Sequence, residues 1–159
     1  MFDIFKDDPE RHWRFFSDTV MGGVSSGQVH FGRDGDRHWA QMTGTVSTAN
    51  NGGFIQMQRR LDPPLPVGRR GVQLVARGND QPYFIHLRIA GAAAPTSFYR
   101  AGFHATTDWR DFRLPFSLFK ASRAGMPALL ENASIASVAV VAFGSDHHAD
   151  ISVSDIGFY

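Results

Sequence analysis

Apolar and polar side chains alternate over most of this chain. Tyr83, Ile85, Leu87 and Ile89 fall on one side, with Phe84, His86 and Arg88 on the other. A period of two is that of a half-buried β-strand. Ala40, Met42, Gly44 and Val46 alternate in the same way with Gln41, Thr43 and Thr45, and Tyr99, Ala101 and Phe103 with Arg100, Gly102 and His104. Phe112, Leu114 and Phe116 alternate with Asp111, Arg113 and Pro115. Residues 72–77 read as a further strand, and Ala149, Ile151 and Val153 open a last one that reaches Ile156 and Phe158. The run 135–143 is rich in β-branched residues and apolar on both faces, which predicts a central strand covered on both sides.

Turn signals separate these runs: Asp34-Gly35, Asn51-Gly52-Gly53, Gly68, Gly78-Asn79-Asp80 and Gly144-Ser145-Asp146. The Asp62-Pro-Pro-Leu-Pro66 stretch reads as an extended connector, because proline cannot donate to a strand ladder. Only two short helices are expected, over residues 8–13 and 127–131. About eight to ten strands with regular turns imply a sandwich or barrel. Long strands and glycine-rich corners favour an all-β, jelly-roll-like sandwich of two antiparallel sheets, with residues 1–159 forming one domain.

Composition adds constraints. A 43% hydrophobic fraction with 14 Phe is enough for a self-standing core. The 16 Lys and Arg nearly balance the 15 Asp and Glu, which argues against nucleic acid or an anionic membrane as the partner. The absence of cysteine removes disulfides, thiolate metal sites and cysteine nucleophiles. The opening residues 1–8 lack the basic stretch and apolar run of a signal peptide, so none is expected. No apolar run approaches the ~18 residues of a spanning helix, and a cytoplasmic location is expected, with the lack of cysteine leaving a periplasm open. Abundant Ala and Gly, with Arg in place of Lys, suggest a GC-rich bacterial source.

Several motifs invite a chemical reading. Gly23-Val-Ser-Ser-Gly27 matches the Gly-x-Ser-x-Gly nucleophile pattern around Ser25, which needs a strand-to-helix turn with a His and an acid. The alternating Gln28-Val-His-Phe31 follows instead of a helix, so coincidence is the stronger reading. In Ser17-Asp-Thr-Val-Met-Gly-Gly-Val-Ser25, Asp18 is placed to accept bonds from nearby amides. Gly22 and Gly23 permit positive φ or close approach. The expectation is a structural corner with Met21 plugging the core, against a ligand loop. Asn51, Gly52, Gly53 and Phe54 form a second such turn, with Phe54 at the core's edge. Arg77, Asp80 and Tyr83 bracket a third, where an Arg77–Asp80 pair would pin the loop.

His147-His148, between Asp146 and Asp150, reads as a solvated loop because no further metal ligands stand at supporting spacing. Asn132-Ala-Ser134 fits a glycosylation acceptor, which means nothing without a secretory signal. His86, Arg88, Arg100 and His104 share the polar side of two strands. With Trp39 or Trp109 they would make a platform for a sugar or a peptide. The competing reading is an ordinary solvated face. No paired carboxylates, phosphate loop or dinucleotide fingerprint appears, so neither a catalytic set nor a cofactor is expected.

Taken in order, Ser17-Asp-Thr-Val-Met-Gly-Gly-Val-Ser25, Asn51-Gly-Gly-Phe54, Arg77-Gly-Asn-Asp80 with Tyr83, Tyr99-Arg-Ala-Gly-Phe103, Trp109, Leu114-Pro-Phe116 and Phe119 resemble the complex I intermediate-associated protein 30 family over nearly the whole chain. The resemblance implies a galactose-binding-like jelly roll, akin to some carbohydrate-binding modules, and no catalytic residues. Mitochondrial members assist respiratory complex I assembly as chaperone-like factors. A protein client, such as a respiratory subunit, is the partner this implies; a glycan held on a sheet face is the alternative. This chain departs from the family at Asn79-Asp80-Gln81-Pro82, where an Asp-Gly-Arg-like run is more usual.

Overall fold

A computed structural model describes residues 3–91, 97–127 and 134–159. Its strands are, in chain order, β1 (Trp13–Ser17), β2 (Ser26–Asp34), β3 (Arg37–Val46), β4 (Phe54–Leu65), β5 (Gly71–Arg77), β6 (Gln81–Ile89), β7 (Tyr99–Ala105), β8 (Arg110–Pro115), β9 (Lys120–Ala121), β10 (Ile135–Phe143) and β11 (His147–Phe158). Two antiparallel sheets face each other, one ordered β1-β4-β10-β6-β7-β9 and the other β2-β3-β11-β5-β8. This is the expected jelly-roll-like sandwich.

The alternation fixes which side chains fill it. Met42, Ile55, Met57, Leu74, Tyr83, Ile85, Leu87, Val140 and Ile151 are all fully buried between the sheets. The same pleat sends their chain neighbours outward. Strand β10 lies between β4 and β6, as its two-sided apolar run requires. Its outward-facing Ser137, Ala139 and Val141 are buried even though they are on the outer surface of the sandwich.

Two local expectations change. The segment expected as a helix over 8–13 forms a single 3-10 turn, Pro9–Arg11, and Trp13 already begins β1. Asp8 enters that turn in the left-handed region, so no longer helix can start there. The proline stretch is not a free connector. It extends β4 as a bulge, in which Arg60 pairs with Ser137 and Leu65 with Ile135. The intervening Leu61, Asp62, Pro63 and Pro64 thus lie where no ladder bond is needed. Residues 128–131 of the second expected helix, and Asn132, lie outside the described residues.

At one end of the sandwich the connections 18–25, 47–53, 78–80, 106–109 and 144–146 all cross from one sheet to the other. Hydrogen bonds tie them together: Thr48 N donates to Asp146 Oδ1 at 2.7 Å, Gly144 N to the Gly53 carbonyl at 3.0 Å, and Asn79 Nδ2 to the His148 carbonyl at 2.9 Å. The sequence motifs therefore gather at this end.

Candidate functional site: a locked corner and an arginine-bearing sheet face

Asp18 organises the corner. Its side chain is fully buried and accepts from Ser25 N (2.9 Å), Ser25 Oγ (2.5 Å), Gly53 N (2.6 Å) and Phe54 N (3.4 Å). Burial alone would raise the Asp18 carboxyl, but the bonds from Ser25, Gly53 and Phe54 outweigh it and hold the group below its ordinary value. Gly23 and Gly52 make room for it. A Cβ on Gly23 would stand 2.4 Å from Asp18 Cγ, and one on Gly52 2.3 Å from Asp18 Oδ2. Gly22, at φ 86°, closes the 3-10 turn Asp18–Met21 in the left-handed region. Asp18 thus joins two corners far apart in sequence.

Ser25 is absorbed by this lock. Its hydroxyl donates to Asp18 and accepts from Ser47 N at 2.8 Å, and among the described residues no histidine bonds to it. The residues of the Gly-x-Ser-x-Gly pattern serve the hydrogen bonding of the corner.

Met21 does not plug the core. It is 61% exposed, and Val20 and Val24 are 71% and 54% exposed. The turn points the Asp18 side chain inward, and the apolar side chains that follow it stand exposed. Asn51 is exposed at positive φ, while Phe54 is half-buried and paired across the ladder with Phe143.

The third turn is built differently from expectation. Arg77 pairs with Asp34 at 3.7 Å instead of with Asp80, and Asp80 faces His104 at 3.7 Å. Asp80, at φ 60°, turns its carboxylate toward the neighbouring strand. Tyr83 does the pinning. Its hydroxyl donates to Asn79 Oδ1 at 2.6 Å and accepts from Asp150 N at 2.8 Å, and burial pushes it up to about 12.

The polar sheet-face residues divide between the two surfaces. His86, Arg88, Arg100 and His104 lie on the outer face of the six-stranded sheet, where His86 pairs with Arg100 and Pro82 with His104. Trp39 and Trp109 lie on the outer face of the other sheet. Trp39 covers Gly32, and Trp109 sits between Arg37 and Arg77, whose guanidinium carbons are 4.8 and 4.7 Å from its ring centre. The structure therefore does not bring the tryptophans to the His–Arg face. Alternation shows which side of its strand a residue takes, but not which sheet the strand joins. His147 Nδ1 lies 2.7 Å from the Ser145 carbonyl, within its own loop.

On the six-stranded face, Arg100 Nε donates to His86 Nε2 at 2.9 Å. The His86 ring stacks on Phe98 at 4.1 Å and 10°. The Arg100 guanidinium lies 3.8 Å from the centre of the Phe143 ring, 5.1 Å from that of Phe98 and 5.4 Å from that of Phe84. Burial first, then the charges of Arg100 and Arg88, push His86 down to about 3, so it is neutral and accepts through Nε2. Phe98 and Phe143 were not singled out in the sequence. Phe143 has a signal there, ending β10 on the outward parity just before Gly144; Phe98 stands before its strand and has none.

The family model described as Complex I intermediate-associated protein 30 (CIA30) matches residues 2–150. The chain belongs to this family. No curated protein sequence matches it. Solved structures similar to this CIA30-family chain include the family 11 carbohydrate-binding module of the cellulosomal cellulase Lic26A-Cel5E of Clostridium thermocellum, at 14% identity and TM-score 0.73, covering 99% of this chain and 92% of that one. The Clostridium thermocellum family 11 module in complex with a β-1,3-1,4-mixed-linked tetrasaccharide is equally similar, at 14% identity and TM-score 0.73 over 99% and 93% of the two chains. A family 30 carbohydrate-binding module follows at 12% identity and TM-score 0.61, covering 86% and 92%. At these identities the likeness is one of fold: a galactose-binding-like sandwich. Among the described residues of the CIA30-family chain, no helix is long and apolar enough to cross a membrane.

Proposed function

We propose that this CIA30-family chain is a non-catalytic, single-domain binding module that holds a protein client as an assembly factor does, without a cofactor and from the cytoplasm. The observation that carries the reading is the exposure of Val20, Met21 and Val24 on a corner that the buried Asp18 carboxylate holds rigid. A flexible loop would lose conformational entropy on docking; a locked one presents apolar contacts already in place. Family membership supports a respiratory-complex subunit as the client. The test is a photo-crosslinking residue at Met21, expressed in the source cells. Crosslinks to respiratory subunits that vanish on Val20→Asp are expected. Crosslinks that persist unchanged in that variant would overturn the reading. Val20→Asp is exposed, so stability should change by no more than about 0.5 kcal/mol.

A glycan-binding reading rests on the sandwich shared with carbohydrate-binding modules and on the half-exposed Trp109. Titration calorimetry with a mixed-linkage β-glucan tests it. Heat lost on Trp109→Ala would favour it, and no heat at all would reject it.

A further inference from the structure

The chain is nearly neutral, but its charge is unevenly placed. The six strands β1, β4, β6, β7, β9 and β10 carry Arg14, Arg59, Arg60, Arg88, Arg100 and Lys120 against a single carboxylate, Asp62. The other sheet sets Arg33, Arg37, Arg77, Arg110 and Arg113 against Asp34, Asp111, Asp150 and Asp155. Arg59 is taken by Asp3. Arg14, Arg60, Arg88 and Arg100 form no ion pair among the described residues.

The registers place these groups on one surface. Arg14 pairs with Gln58, Gln58 with Ala139, Ala139 with His86, and His86 with Arg100. One row further along, Arg60 and Arg88 both pair with Ser137. Strands are ~4.8 Å apart, so the two arginine positions flank Ser137 over roughly 10 Å. Ser137 is 5% exposed, and its Oγ is buried without a hydrogen-bond partner. Ser137 is a small side chain between these two positions, so the long Arg60 and Arg88 side chains border one another across it with no carboxylate between them. Arg100 is held in place by His86 and three phenyl rings through its Nε and its flat face. The outer guanidinium nitrogens make no hydrogen bond among the described residues, so the fork suited to a carboxylate is free.

We propose that this face recognises an acidic polypeptide segment, with Arg60, Arg88 and Arg100 engaging its carboxylates. The proposal deepens the client-binding reading and rests on it by naming the chemistry of the client. A peptide fits better than an acidic sugar or a nucleic acid. The rings here are spent on supporting Arg100 and on stacking with His86, which leaves no paired platform for a pyranose or a base. A net charge of +1 also lacks the long-range pull of a polyanion binder, whereas a local cluster of guanidiniums is enough for a few carboxylates.

The experiment is fluorescence anisotropy of the full chain with a labelled peptide of alternating Glu and Ser. The comparison probes are its Gln-Ser counterpart, an oligogalacturonate and a single-stranded DNA oligomer. The Glu-Ser peptide should bind and the Gln-Ser peptide should not. Arg60→Gln and Arg88→Gln should each weaken binding about tenfold, as loss of a hydrogen bond to a charged group does. Arg33→Gln, on the other sheet, should leave it unchanged. Equal binding of the two peptides, indifference to both arginine variants, or tighter binding of the oligogalacturonate or the DNA would overturn the proposal. If these fail while Met21 still crosslinks a respiratory subunit, the anion surface falls and the client reading stands. If the peptide binds as expected but Met21 crosslinks nothing, the reverse holds.

Discussion

Replacing Asp18 with Asn tests the corner lock. The two side chains have nearly the same shape, so the change removes charge and acceptor capacity without a cavity. In the native chain one carboxylate oxygen takes Ser25 N, while the other takes Gly53 N, Ser25 Oγ and the longer Phe54 N. An amide can keep only one of these oxygens. If its oxygen stays with Gly53 N, Ser25 Oγ and Phe54 N, its NH2 faces Ser25 N, so one backbone N–H and the amide's own hydrogens are left buried and unpaired; turned the other way, the NH2 faces both Gly53 N and Phe54 N. Each orphaned donor costs roughly 1–3 kcal/mol, which gives a loss of about 4 kcal/mol for the pair. Total stabilities are only about 5–15 kcal/mol, so this is a large fraction. Thermal midpoints in chains of this size move roughly 2–4 °C per kcal/mol, so Tm should fall by about 8–16 °C. Urea denaturation followed by circular dichroism at neutral pH measures the loss directly. The folded Asp18 pKa is depressed, so its contribution is complete above the unfolded value of 3.8 and is lost as pH falls below it. The gap between wild type and variant should therefore narrow in acid. A loss under about 1 kcal/mol at neutral pH would refute the claim that this carboxylate holds the corner.

Three further substitutions probe other contacts. Gly52→Ala puts a methyl group 2.3 Å from Asp18 Oδ2 and should cost about 1–3 kcal/mol by the same urea assay, as overpacking does. Tyr83→Phe strands Asp150 N and Asn79 Oδ1 and should cost about 1–3 kcal/mol, without moving the fold seen by circular dichroism. His86 sits at about 3 when folded against 6.5 in its ordinary state. The unfolded chain thus binds the extra proton first, and stability is full above pH 6.5 and declines toward pH 3. A His86→Gln variant should flatten that part of the stability–pH profile, and an unchanged profile would contradict the neutral, Arg100-bonded ring.

The strands were legible in the sequence because a period of two is written in the residues themselves. β3, β5, β6, β7 and β10 stand where Met42, Leu74, Ile85, Phe103 and Val140 place them. β1 was not legible, since Trp13-Arg-Phe-Phe-Ser17 holds three aromatic residues in five and alternates poorly. The acceptor role of Asp18 could be read from its glycine-rich surroundings. The outward turn of Met21 could not, because a corner has no period to say which way a side chain points. Nor does periodicity assign strands to sheets, and this is why Trp39 and Trp109 stand across the sandwich from His86 and Arg100. The uneven charge became visible only once β1, β4, β6, β7, β9 and β10 were known to be neighbours.

The lock at the crossover end also limits how such a chain can grow. One carboxylate serves the corners 18–25 and 47–53 at once, Asp146 stitches a third to them, and Asn79 ties a fourth to the start of β11. Lengthening any of these would pull a donor away from a partner contributed by another, so insertions there would propagate damage across both sheets. At the opposite end, the turn at Gly35 reaches another element among the described residues only through the exposed Asp34–Arg77 pair, and in the stretch 66–70 the backbone bonds fall on Arg70, to Tyr159 and Phe116. Extra segments, tags or fused modules belong at that pole, where the fold can take on new attachments without loosening the knot that shapes its other extremity.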